Sequence, residues 1–150
     1  MKTAIVYASV HHGNTKKVID AMVKGYEVDL IDAAKNADRD LSSYDLIGFA
    51  SGIYYSKFHA SVLDYIAEKL PENKDIFFVC TKGAGSKFKL PKSAEEALEG
   101  KNPNIKGGYS CKGYDTFGPF KLIGGLAKGH PDASELEEAR KFFEKLYKGL

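Results

Sequence analysis

The chain has 150 residues, which is long enough to bury about two-thirds of the surface that the unfolded chain would expose, so we expect a single domain over residues 1–150. With 43% hydrophobic and 28% charged residues, the composition excludes disordered and fibrous classes. The formal net charge is only +2 and the charges are interleaved, which argues against nucleic-acid binding. No apolar run approaches the roughly 18 residues of a membrane span or forms a signal peptide core, so we expect no membrane span and a cytoplasmic location.

A locally basic stretch stands out between residues 82 and 101. Its first acidic residues are Glu95 and Glu96, and its basic residues are Lys82, Lys87, Lys89, Lys92 and Lys101. Such a stretch is either an ordinary solvated loop or one basic face of the molecule. The sequence leaves both interpretations open.

The two cysteines, Cys80 and Cys111, are too few for a disulfide scaffold, and no secretory signal accompanies them. We expect both to be small core residues. A redox pair is a minor alternative, because each cysteine ends one of two neighbouring predicted strands.

Five short apolar runs predict five strands, at residues 4–8, 28–31, 46–50, 76–80 and, more weakly, 105–111. The first, third and fourth runs are nearly continuous rather than alternating. That pattern is typical of parallel strands covered on both faces.

Helical periodicity separates most of these runs. Apolar residues recur at helical spacing between Asn14 and Gly25, between Ala60 and Leu70, and after Asp132, which with Glu135 forms a capping-box pattern. Residues 32–43 show no clear apolar stripe, and residues 92–98 allow barely two turns. The alternation predicts an α/β fold, a doubly wound five-stranded parallel sheet of order 2-1-3-4-5 with helices on both faces.

In such a sheet a ligand binds beyond the carboxyl ends of the strands, between the first and third strands. The loop after the first strand ends in Gly13, Asn14 and Thr15, where the first N–H groups of the following helix lack partners. The hydroxyls of Ser9 and Thr15 and the amide of Asn14 are further donors, so a phosphate group suits this position. The alternative is an ordinary turn capped by its own Asn or Thr.

Residues 5–9, Ile-Val-Tyr-Ala-Ser, followed by Gly13-Asn14-Thr15, resemble the phosphate-loop signature of the flavodoxin family. The family pattern is a hydroxyl residue, two further residues, then Gly-Asn-Thr. Here the spacing is one residue longer and includes His11 and His12, which either contact the phosphate or face solvent. The resemblance implies a flavodoxin-like fold and non-covalent flavin mononucleotide (FMN).

Two further loops are similar to the ring-binding loops of that family. An isoalloxazine ring needs an aromatic face and backbone donors at its edge. The loop at residues 51–59 offers Gly52, Ile53, Tyr54, Tyr55 and Ser56, and we expect only one tyrosine, with a slight preference for Tyr54, to touch the ring. The loop after the fourth strand offers its backbone at Thr81, Lys82, Gly83, Ala84 and Gly85.

The long connection after the fifth strand, from Ser110 to Pro131, also resembles a branch of this family. Its glycines and aromatic residues suit either a lid beside the flavin or a flap that closes the sheet edge.

The resemblance implies an electron-transfer protein that acts on redox partner proteins or small electron acceptors, as a monomer or weak dimer. Lys57, Lys82 and Lys87 would stabilise negative charge on the reduced ring, and the absence of glycine after Tyr55 predicts weak stabilisation of the one-electron-reduced flavin. The alternatives are an FMN-dependent NAD(P)H:quinone or small-acceptor reductase and a non-catalytic binding module that has lost flavin.

Overall fold

The computed structural model describes residues 1–10, 12–85, 87–114, 125 and 127–149. Its elements in chain order are β1 Thr3–Ala8, α1 Asn14–Met22, β2 Val28–Asp32, β3 Leu46–Tyr54, β4 Lys57–Phe58, α2 Ala60–Lys69, β5 Asp75–Lys82, α3 Lys92–Ala97, β6 Asn104–Lys112 and α4 Ala133–Lys148.

The sheet confirms the predicted fold class and strand order. Its parallel strands lie in the order β2-β1-β3-β5-β6, and the short β4 pairs antiparallel with the end of β3. Without β4 this is the predicted order 2-1-3-4-5. The apolar runs therefore identified all five parallel strands, including the weak last one.

The prediction of a loop over residues 51–59 is wrong for most of that segment. Ser51 and Gly52 stay in register with β5, so β3 continues four residues further than the apolar run. The chain then reverses at Tyr55 and Ser56, whose φ angles are 48° and 65°, and returns as β4. Positive φ at both central residues is typical of a tight hairpin turn, which usually carries Asn-Gly rather than Tyr-Ser. The sequence signal for this hairpin was therefore missing.

The helices agree with the predicted periodicity. Asp132 and Glu135 form the predicted capping box at the start of α4. The connection between β2 and β3, whose sequence shows no clear apolar stripe, contains turns and no helix over residues 33–45. This connection still covers one face of the sheet, because its side chains Leu41 and Tyr44 are buried.

Two hydrophobic cores lie on opposite faces of the sheet. Side chains of β1 and β5 alternate between them, so Val6 and Phe78 pack on one face and Ile5 and Phe77 on the other. The first core is covered by α2, α3 and residues 33–45, and the second by α1 and α4. Cover on both faces explains why the central strands are apolar throughout.

We expect Gly48→Ala to lower the free energy of unfolding by about 1–3 kcal/mol, because a side chain there overpacks the core. A Cβ on Gly48 would lie 2.4 Å from Cζ of Phe77. Urea denaturation measures the loss. Adding Phe77→Leu should recover part of it, so the double variant should be more stable than the sum of the single changes predicts. An unchanged urea midpoint for Gly48→Ala would contradict this packing.

Candidate functional site

The carboxyl ends of four parallel strands meet at one edge of the sheet. Ala8 of β1 is level with Ser51 of β3, Gly52 is level with Thr81 of β5, and Thr81 is level with Cys111 of β6. The segments that follow these strands therefore start side by side. This is the edge at which the sequence predicted a ligand.

The amino end of α1 lies at this edge. Gly13 is the N-cap, with φ 66°, and as a glycine it has no side chain that could cap the helix. Ser9 Oγ accepts a hydrogen bond from the backbone N–H of Lys16 at 3.1 Å, which leaves the hydroxyl proton free to donate. The first turn contains no acidic residue. Backbone N–H groups of Asn14 and Thr15 have no acceptor within the helix, so the site attracts anions.

The side chains of Asn14 and Thr15 turn inward. Nδ2 of Asn14 donates to the backbone oxygen of Tyr114 at 2.7 Å, and Oγ1 of Thr15 is 2.9 Å from Oγ1 of Thr81. Both residues are buried. Within the described part of the chain, Oδ1 of Asn14 is buried without a hydrogen-bond partner. The two side chains therefore tie α1 to neighbouring segments, and one polar atom remains unsatisfied.

A cleft opens beside this helix end between the ends of β3 and β5. Eight predicted site residues line it, together with Gly113 and Tyr114: Asn14, Thr15, Gly52, Ile53, Tyr54, Thr81, Lys82 and Gly83. The tertiary structure thus brings the three predicted loops to one place.

The aromatic side of the cleft is formed by Tyr54. Its phenol folds over Gly52 so closely that a Cβ on Gly52 would lie 2.6 Å from the hydroxyl oxygen of Tyr54. A side chain at position 52 would therefore displace the Tyr54 phenol. Tyr55 points the other way and is 72% exposed. The two tyrosines diverge, as expected, and Tyr54 is the one that lines the cleft.

Gly113 and Tyr114 complete the cleft and were missing from the predicted site. Gly113 donates its N–H to the backbone oxygen of Lys82 at 2.9 Å, and a Cβ on it would lie 2.7 Å from Nδ2 of Asn14. Tyr114 donates its N–H to the backbone oxygen of His130 at 2.9 Å. The sequence placed both residues in the long connection that suits a lid or a flap, without assigning either to the site.

The remaining predicted residues lie around the cleft without lining it. The exposed imidazole of His12 packs against the ring of Tyr114, with centroids 4.3 Å apart. Ser9 and Gly13 stand at the amino end of α1, Tyr55 and Ser56 at the hairpin turn, and Ala84 and Gly85 in an exposed stretch. His11 and most of the predicted lid, residues 115–124 and 126, lie outside the described residues.

The two cysteines lie on opposite faces of the sheet. Cys80 belongs to the core under α2 and α3, whereas Cys111 belongs to the core under α1 and α4. This confirms the expected core role and is incompatible with a redox pair. Burial raises the pKa of each thiol from its ordinary value of 9.0 to about 12. Neither is a reactive thiol.

The comparisons with known proteins agree with the fold. A flavodoxin domain family model matches residues 4–106. An uncharacterized protein from Methanocaldococcus jannaschii is 36% identical over 149 residues, covering 99% of both chains. Oxidised flavodoxin 2 from Bacillus cereus has a TM-score of 0.68 at 19% identity and covers 100% of both chains. A flavodoxin from the domain Archaea has a TM-score of 0.67 at 17% identity, covering 98% of this chain and 97% of that one.

The chain belongs to the flavodoxin family, as the match over residues 4–106 and the 36% identical relative show. In the described residues, no helix combines the length and the apolar character that crossing a bilayer requires.

We expect Ser56→Gly to raise the free energy of unfolding by up to about 1 kcal/mol, because glycine adopts the φ of 65° at this turn without the cost that serine incurs. Thermal denaturation measures the change. Ser134→Gly is the matched control, since Ser134 lies in the first turn of α4, where the same substitution removes no strained φ and should not stabilise the protein. Equal losses in the two variants would show that the turn is unstrained.

We expect the stability of the protein to fall as the pH rises from about 9 towards about 12. In the unfolded chain the thiols of Cys80 and Cys111 titrate near 9.0, whereas in the folded protein their pKa is about 12. The protonated thiols therefore stabilise the folded protein fully below pH 9.0. This stabilisation is lost as the pH rises through the folded pKa of about 12.

Urea denaturation across this pH range, on the parent and on Cys80→Ala, tests the assignment. The variant should show a shallower loss of stability with pH. Parallel curves for the two proteins would contradict the effect of burial on this thiol.

Proposed function

We propose that residues 1–150 form a single flavodoxin domain that binds FMN and transfers electrons to redox partner proteins or small electron acceptors. The observation that carries the proposal is the convergence of an anion-binding helix end and an aromatic cleft at one edge of the sheet. FMN has a phosphate at one end and a flat, amphipathic ring at the other. The two halves of the site suit the two halves of the cofactor.

The amino end of α1 would hold the phosphate. The backbone N–H groups of Asn14 and Thr15 and the hydroxyl of Ser9 supply donors, and the helix dipole favours a dianion. The space around Gly13 supports this role, because no atom of the described residues lies within 4 Å of a Cβ built on it. Asn14 Nδ2 is already bonded to Tyr114, so Asn14 would serve through its backbone and by positioning its neighbours.

The cleft would hold the ring. Gly83 would allow the ring edge to approach the backbone, while Tyr54, which packs over Gly52, would offer an aromatic face. Oδ1 of Asn14, which has no partner among the described residues, belongs to a residue of this cleft and could accept a hydrogen bond from a polar edge. The polar groups and the aromatic side chain at this site therefore suit the chemistry of a flavin.

FMN, when bound, supplies the electron chemistry, and the chain tunes it. Lys82 is half-buried beside the cleft and favours negative charge there, whereas Lys57 and Lys87 are exposed and screened by salt. The inference that these lysines raise the potential of the reduced cofactor rests mainly on Lys82.

We expect the purified protein to be yellow, with flavin absorption bands that account for one FMN per chain. After removal of bound flavin, the protein should bind FMN about 100-fold more tightly than riboflavin, because riboflavin lacks the phosphate and its charge-assisted hydrogen bonds. Quenching of flavin fluorescence during titration measures both affinities. A colourless protein that binds neither flavin would overturn the proposal.

We expect Ser9→Ala to reduce the preference for FMN over riboflavin about tenfold, because it removes one donor to the phosphate. The ratio of the two affinities is the measurement, since a general loss of stability lowers both. Ser134→Ala, an exposed change in α4, is the control and should leave the ratio unchanged. An unchanged ratio in Ser9→Ala would place the phosphate elsewhere.

A further inference from the structure

A second, open groove adjoins the candidate ring cleft. It runs from the hairpin turn of β3 and β4 to the amino end of α3 and shares Ile53 and Lys82 with the cleft. Its other lining residues include Ser56, Lys89, Lys92 and Glu95. The groove therefore leads directly to the edge of the proposed cofactor site.

The wall of this groove is anchored in the core. Phe88 stacks on Phe78 with ring centroids 6.4 Å apart, and it lies against Gly108, where a Cβ would be 2.2 Å from its ring. Leu90 packs against the same core. Lys89 lies between these two anchored residues, so its backbone is fixed while its side chain is exposed.

The net charge of the groove lining is positive. Lys89 and Lys92 line it, Lys57 and Lys87 flank it, and all four are exposed. None forms an ion pair with a described residue, whereas Lys16 pairs with Asp20 and Lys148 with Glu144 on the opposite side of the sheet. Glu95 is the one acidic side chain among the described lining residues.

We propose that this lysine groove is the docking surface for an acidic redox partner protein, which it holds beside the cofactor edge. This inference rests on the proposed function, because the groove adjoins the cleft in which FMN is proposed to bind. Exposed, unpaired charges steer a transient partner and set its orientation.

An acidic protein suits this surface better than a phosphate compound or a nucleic acid. The lysines are exposed, and no arginine lines the groove to bind a phosphate in bidentate fashion. The net charge of +2 is too small for non-specific attraction of long polyanions.

The test uses an acidic [2Fe–2S] ferredoxin as the probe and the purified protein with its natural flavin content. Lys89→Gln combined with Lys92→Gln should weaken binding of the ferredoxin about tenfold at low ionic strength, as measured by isothermal titration calorimetry. The matched control combines Lys24→Gln with Lys141→Gln, two exposed lysines near α1 and on α4, and changes the net charge equally. This control should bind within about twofold of the parent.

The difference between the two double variants should vanish in about 1 M salt, where the Debye length is about 3 Å. Equal weakening in both variants would show a net-charge effect and overturn the inference. The inference would also be overturned if the ferredoxin does not bind while pyrophosphate or a single-stranded oligonucleotide binds in a manner that depends on Lys89 and Lys92.

The flavin content, read from the absorption spectrum, separates this inference from the proposed function. Groove-specific ferredoxin binding by a protein that takes up no FMN would support the docking surface and refute the cofactor. A protein that holds FMN but binds the ferredoxin equally well in all variants would retain the cofactor and refute the docking surface.

Discussion

The parallel register of the central strands is the constraint on which the candidate site depends. Because β1, β3, β5 and β6 run in the same direction and end nearly level, the segments that follow them must leave the sheet at the same edge. The hydrogen bond between Thr15 and Thr81 then joins the first of these segments to the end of β5. Residues that are far apart in the chain meet at this edge because the register of the strands brings them there.

Close backbone packing shapes the rest of the site. Gly52 lies under Tyr54, and Gly113 lies against Asn14, so closely that a Cβ at either glycine would force the neighbouring side chain to shift. These approaches bring Tyr114 within reach of Asn14 and close the cleft from the side of β6. Such a site depends on small residues, which explains why three of its lining residues are glycines.

The electrostatics of this edge are asymmetric. The amino end of α1 attracts anions through backbone dipoles and has no acidic residue in its first turn. On the far side of the cleft, lysine side chains carry the positive charge and remain exposed. Lys82 and Ile53 belong to both the cleft and the groove, so the proposed cofactor and the proposed partner would share one wall.

Local patterns in the sequence determined the elements. Continuous apolar runs specified the buried parallel strands, the stripe after Asp132 specified α4, and the Gly13-Asn14-Thr15 turn specified the start of α1. These features depend on neighbouring residues, so periodicity and capping rules reveal them.

Only the tertiary structure decided how far β3 extends and what completes the cleft. The extension through Tyr54 is maintained by pairing with β5 and β4, and the hairpin turn at Tyr55 and Ser56 lacks the usual glycine signal. Gly113 joins the site through Asn14, about 100 residues earlier in the chain, and Cys80 and Cys111 separate because their strands present them to opposite faces. Each of these outcomes depends on contacts between distant segments, which no local pattern encodes.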